Sequence, residues 1–249
     1  MLQRRVKDPE KENRERKRAL DAAVSSLSSL SREEAAEMRD ANLLRWHCSM
    51  VKISGSLLSK QRIRAMLAGE TVREATVEEY RYLRACTALY KEFRHMADFS
   101  IALDEKYIIR IYEILSGKKF SGYRRSDCVL KGIGYRPPAH GEIRSLMKAA
   151  DREISSQEHG EDPIEGAIRT HDMIFAVWPF EEKNGDVAYA AMSYELFLAG
   201  YPLPALDIDD VEHLAFLGEF VGSGRSDRFC GAVIQSLLDQ CGNIRLGLG

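Results

Sequence analysis

"FAVWPFEEKNGDVAYAAM", residues 175–192, joins an apolar stretch, a Pro-Phe step, a charged turn containing Asn-Gly, and a second apolar stretch. Pro179 lacks an N–H and disfavours helical geometry at Trp178, so a helix arriving from the left must stop there. Asn184-Gly185 tolerates positive φ, and the helix that follows opens with N–H groups that have no intrahelical partner. A turn feeding a helix N-terminus is a ready site for an anion. The stretch therefore reads as two buried helices meeting at a polar junction.

Further helices extend outward from this junction. On the near side, "PIEGAIRTHDMIFAV" (163–177) leads into the turn, and "GDVAYAAMSYELFLAG" (185–200) leaves it. "GEIRSLMKAADREI" (141–154), "DVEHLAFLGEFV" (210–221) and "DRFCGAVIQSLLDQC" (227–241) carry helical apolar spacing as well. Ser31 with Glu34 and Thr76 with Glu79 make capping boxes ahead of two more helices. The second of these shows Tyr80, Leu83, Thr87 and Tyr90 at helical spacing. Ile108, Ile111, Tyr112 and Leu115 repeat that pattern, with Gly117 placed as a C′ residue. Only "YRRSDCVLKGIGYRPP" (123–138) departs: β-friendly residues around Gly132 and Gly134, closed by Pro-Pro, predict a short hairpin. The fold class expected is all-α with one β-hairpin.

Composition bounds the setting. A chain of 249 residues with 45% hydrophobic residues can bury a sizeable core, and the simplest division is a tail over 1–30 followed by one domain over 31–249. A net charge of −2 carries no nucleic-acid-like positive field. The first 20 residues hold eight basic and four acidic side chains, so weak contact with nucleic acid is confined to that tail, which reads as a flexible or helical solvated lead-in. Five cysteines without a C-x-x-C pair argue against a disulfide framework or zinc knuckle and fit a reducing, cytoplasmic compartment. No apolar run approaches the ~18 residues that span a bilayer, and no export signal is expected, although non-classical secretion is compatible with this.

The residues at the junction resemble the Fic (filamentation-induced, Fido) domain family, whose motif runs His-Pro-Phe-x-Asp/Glu-Gly-Asn-Gly-Arg-x-x-Arg, as "WPFEEKNGDVAY" does over 178–189. The resemblance extends over residues 40–241. "GYRRSDCVLKGIGYRPPAHGEIRSLM" is similar to the family's flap and following helix, and "THDMIFAVWPF" to the approach helix, with His171 seven residues before the motif. "LFLAGYPLP" and "FVGSGRSDRFCGAVIQSLL" are similar to the closing segments. The resemblance implies a protein adenylyltransferase (AMPylator) scaffold using ATP and Mg²⁺, with a flap that holds an extended target segment.

The departures decide the function expected. Trp178 stands where the family's general base is a histidine, and an indole has no basic lone pair to offer. His171 cannot substitute from ~10 Å away along a helix and reads as a hydrogen-bonded core residue. Glu182 keeps the position that in the family holds Mg²⁺, and Phe180, Asn184 and Gly185 are kept. Lys183 replaces a glycine, Asp186 replaces the first arginine and Tyr189 the second. Exchanging attraction for repulsion at ~4 Å is worth a few kcal/mol. The inhibitory helix pattern of the family aligns with "SMVKISGS" (49–56), which puts Ser54 at its glutamate position. The expectation is a catalytically degenerate binding or regulatory pseudoenzyme needing no cofactor. Its protein partner would be an extended segment held at the flap residues Val129, Leu130, Lys131, Gly132 and Ile133. Arg124, Arg125 and Lys131 would guard the flap's open edge by charge. The alternatives are a transferase with changed chemistry, using Glu181, Glu182, Asp172, Lys183 or Asp186 around the cleft, and residual nucleotidyl transfer with ATP and Mg²⁺ to protein hydroxyls.

Overall fold

The computed structural model describes residues 9–156 and 162–242. Residues 1–8 and 243–249, parts of the expected tail and domain, lie outside the described residues. The architecture is all-α. Among the described residues ten α-helices follow one another: α1 Pro9–Leu27, α2 Arg32–Ile53, α3 Lys60–Leu67, α4 Val77–Asp98, α5 Glu105–Ser116, α6 Ile143–Ser155, α7 Pro163–Val177, α8 Asn184–Leu198, α9 Asp210–Ser223 and α10 Asp227–Gly242.

Local signals place the boundaries. Both capping boxes close as the sequence predicts: Ser31 and Glu34 open α2, Thr76 and Glu79 open α4, each with side chain and backbone bonded reciprocally. Asp209 with Glu212 adds a third at α9. Gly117 ends α5 at φ 68°, the left-handed conformation that glycine adopts without steric cost.

The centre is the helical hairpin of α7 and α8. α8 is buried on every side from Val187 to Tyr194, as expected of a helix that is apolar all round and surrounded by others. Helices α2, α4, α5 and α9 pack on α8, while α6 and α10 pack on α7. In α4 the buried residues are Tyr82, Leu83, Cys86, Leu89 and Phe93. The stripe is therefore rotated from the expected one, because Tyr80, Thr87 and Tyr90 sit at its margin and only Leu83 is shared.

Two expectations change. The lead-in over 1–30 is, from Pro9 onward, a docked helix: α1 lies along α10, with Leu20 fully buried. Asn13 Nδ2 donates to Asp227 O at 2.9 Å, Lys17 pairs with Asp162, and Arg225 pairs with Glu10. Gly231 permits the approach, since a Cβ there would stand 2.9 Å from Asn13 Oδ1. The hairpin at 123–138 reduces to a single antiparallel bridge, Leu130 with Tyr135, closing a tight turn. Its tip is not free: Ile133 packs on Gly218 and Gly132 on Leu214, both in α9.

Candidate functional site

The junction is built on two left-handed residues. Trp178 caps α7 at φ 52°, ψ 57°, its N–H still bonded to Ile174 O at 3.1 Å, and Pro179 then turns the chain away. Lys183 precedes α8 at φ 63°, ψ 20°. That is the conformation a glycine takes readily and a lysine takes at a cost of about 1–2 kcal/mol. Asn184 locks the turn from inside: its Oδ1 accepts from Phe180 N at 2.8 Å and its Nδ2 donates to Phe180 O at 2.9 Å.

Phe180 holds the turn to the core. Its ring is 1% exposed and stacks on Tyr112 of α5 with centroids 4.2 Å apart, with Phe120 and Tyr123 at its edges. Trp178 is only partly buried and stacks on Phe175 at 5.4 Å. Gly185 has no room for a side chain, since a Cβ would meet the rings of His213 and Phe175 at 3.2 Å.

The polar side chains of the turn and of early α8 have partners within the protein. Asp186, 7% exposed, accepts from Tyr82 Oη at 2.5 Å and lies 3.4 Å from Lys183 Nζ. Lys183 Nζ also sits 4.2 Å over the Tyr82 ring. Burial first, and then the Asp186 carboxylate, push the Tyr82 phenol far above its ordinary pKa, so it serves as a fixed donor. Tyr189 is fully buried, donates to Pro204 O at 2.7 Å and lies 2.9 Å from Ser49 Oγ. Glu182 is engaged by Lys118 Nζ at 2.5 Å, and Glu181 accepts from Arg125 N at 3.0 Å. Among the described residues no group of three or more His, Cys, Asp or Glu side chains converges as a metal site would require.

Several site residues lie elsewhere than the sequence suggests. Ser54 caps α2, donates to Val51 O at 2.8 Å, and does not meet Tyr189. The residue that does is Ser49, more than one turn earlier. Ser54 instead lines a cavity of about 270 Å³ together with Glu79, Tyr82 and Lys183. Asp172 is away from the turn in a buried chain: Ser226 Oγ donates to Asp172 Oδ2 at 2.5 Å, Asp172 Oδ1 meets His171 Nδ1 at 2.9 Å, and His171 Nε2 meets His213 Nε2 at 2.8 Å. His171 is thus a hydrogen-bonded core histidine. Two facing ring nitrogens at that distance must share one proton. Burial, with His171 alongside, keeps the His213 pKa well below the ordinary histidine value.

Arg124 is the residue the sequence reading misplaced. It is 4% exposed and does not guard a strand edge. Its N–H donates to Pro179 O at 2.9 Å and its Nε to Trp178 O at 2.8 Å. Its other nitrogens donate to Ser126 O at 2.7 Å and to Pro138 O. A buried guanidinium thus ties the 123–138 loop to the junction by carbonyl oxygens. The "YRR" doublet alone does not say which arginine turns inward.

Residues 102–196 match the model of the Fic/DOC family. A Fic-domain-containing signaling protein from Bacteroides thetaiotaomicron is similar in structure at 19% identity, covering 92% of this chain and 97% of its own, with a TM-score of 0.78. Residues 134–508 of Fic-1 from C. elegans give 17% identity, 95% and 72% coverage, and a TM-score of 0.79. A Fic family protein from Desulfovibrio desulfuricans G20 gives 14%, 95% and 74%, and 0.72. No curated protein matches in sequence. Residues 102–196, with the motif turn inside them, thus carry a Fic/DOC-family segment, and the helical frame around it is the one shared with these Fic-domain structures.

Proposed function

We propose that this chain is a binding or regulatory member of the family that has given up nucleotidyl transfer. One observation carries the reading: each motif position whose side chain would act on nucleotide or target is filled by a residue engaged with the protein itself. Asp186 is held by Tyr82 and Lys183, and Tyr189 by Pro204 and Ser49. Trp178 offers no base and stacks on Phe175. Restoring phosphate anchors would require breaking buried hydrogen bonds, which is costly when the partners left behind remain buried.

The partner is a protein segment at the loop preceding the bridge. Among the described residues, Asp127, Cys128 and Val129 make no backbone–backbone hydrogen bond, and Val129 is 44% exposed. Arg124 fixes the base of this loop and the contacts of Gly132 and Ile133 fix its tip, so the donors are pre-positioned for an added strand. Lys131 contributes an exposed charge at the turn. The compartment is a reducing one, in keeping with five free thiols; among the described residues no helix is long and apolar enough to cross a membrane.

A second reading has one observation in its favour. No side chain caps the N-terminus of α8, which leaves its first amides without that partner. Residual transfer of nucleotide to protein hydroxyls, with ATP and with Mg²⁺ at Glu182, would use them. Isothermal titration with ATP, with and without Mg²⁺, separates the two. The proposal expects no heat at millimolar nucleotide and no labelled product. A modified hydroxyl that disappears in Glu182→Ala overturns it. For the partner, selection from a displayed extended-peptide library should yield binders that Val129→Pro no longer holds while helicity is unchanged.

A further inference from the structure

A second cavity lies between α2, the end of α8 and the segment after it, away from the motif turn. It measures about 140 Å³ and its walls include Leu43, Tyr90, Phe197 and Tyr201. The Tyr90 and Phe197 rings meet edge to face with centroids 6.2 Å apart, giving one side of the space a fixed aromatic surface. Two polar side chains from one face of α2 also line it, Arg39 and Asn42, three residues apart. Asn42 is 6% exposed, and its Oδ1 is closed off from solvent with no hydrogen-bond partner. Among the described residues, Arg39 forms no ion pair.

A buried amide oxygen without a partner is uncommon in a folded protein and destabilises it unless something supplies the missing bond. An apolar cavity of roughly 150 Å³ accommodates a benzene ring. The size, the aromatic wall, the unpaired amide and the unpaired guanidinium together specify one class of ligand. We propose that this cavity binds a one-ring aromatic carboxylate bearing a hydrogen-bond donor on the ring. The ring packs against Tyr90 and Phe197, the Asn42 side chain turns its amide oxygen to the donor, and the carboxylate meets Arg39 at the rim as a charge-assisted pair. Most of the affinity comes from the buried ring and the specificity from the two polar contacts, the usual division of labour in a small-molecule pocket.

Titration of the full chain with 4-hydroxybenzoate tests this, followed by amide chemical shifts and by calorimetry. Benzoate lacks the ring donor and 4-hydroxybenzyl alcohol lacks the carboxylate, so each should bind about tenfold more weakly. Arg39→Gln should lower the affinity for 4-hydroxybenzoate by about tenfold and leave that for the alcohol unchanged. Asn42→Leu should erase the preference for 4-hydroxybenzoate over benzoate. Thermal melting of both variants establishes that they fold, and Arg39 is exposed, so its replacement leaves the core intact. Absence of saturable binding by all three compounds, or affinity untouched by Arg39→Gln, overturns the proposal.

Discussion

The Arg124 guanidinium donates to the main-chain oxygen of Trp178 at 2.8 Å, across 54 residues of sequence. Trp178 stands in a left-handed conformation that bulky residues rarely adopt, so its carbonyl points where no helix continues. The arginine holds that carbonyl in place. Removing it leaves three main-chain acceptors without their charged donor, two of them in the 123–138 loop. Arg124→Met should therefore cost about 3 kcal/mol or more and loosen both segments together. Urea unfolding gives the first quantity, and proteolysis at 125–136 the second.

Phe180 and Trp178, which sequence alone treats as equivalent, should separate in stability measurements. Phe180 is closed inside an aromatic cluster and its change to Ala should cost ~3–5 kcal/mol. Trp178 is partly exposed, and its change to Ala should cost about half as much. Equal losses in thermal unfolding would contradict the difference in burial.

Tyr189 predicts how the core beside the turn answers substitution. Tyr189→Phe leaves the Pro204 carbonyl without its donor and should cost about 1–3 kcal/mol. Tyr189→Arg places a charge in a fully buried space without a carboxylate, and should be several kcal/mol worse. Trp178→His alone should not produce AMP transfer, because Asp186 and Tyr189 remain. Labelled-nucleotide incubation of these variants, together with their melting curves, checks each outcome.

Acid and alkali should act on different groups. His213 is held neutral by burial, so the unfolded chain binds the extra proton; stability is present above pH about 6.5 and lost as pH falls below it. Glu195 is the opposite case. Its Oε2 is inaccessible, and burial, opposed in part by a hydrogen bond with Thr170, raises the carboxyl from 4.5 to about 8. Its contribution is fully present below pH 4.5 and lost as pH rises through about 8. Glu195→Gln should be about 1–3 kcal/mol more stable than the parent at pH about 8, with the gain vanishing near pH 4. Denaturant midpoints across that range measure it.

The fold was legible where the signals are local. Capping residues at Ser31 and Thr76, the glycine at 117 and the proline at 179 act within a few residues of themselves, and the helices begin and end where these place them. The motif turn was legible for the same reason. What stayed hidden depends on long-range partners. Tyr82, outside the stripe that the spacing of α4 suggests, faces Asp186, because rotation of α4 is set by packing on α8 and not by its own spacing. Ser49 meets Tyr189, and only the course of α2 past α8 decides that. Arg124 and α1 were read from their charge as surface features. Both are instead committed to acceptors more than fifty residues away.

The docking of α1 on α10 also bears on how the chain acquires its shape. The two helices lie about two hundred residues apart in sequence, and Gly231 is the notch into which Asn13 and Arg16 settle. During synthesis α1 emerges about two hundred residues before its partner surface, so Leu20 and the neighbouring apolar residues wait until α10 is made. Closing so long a loop is slow relative to the local helical contacts that assemble α7 with α8. The docking of α1 on α10 is therefore expected to follow the pairing of α7 with α8.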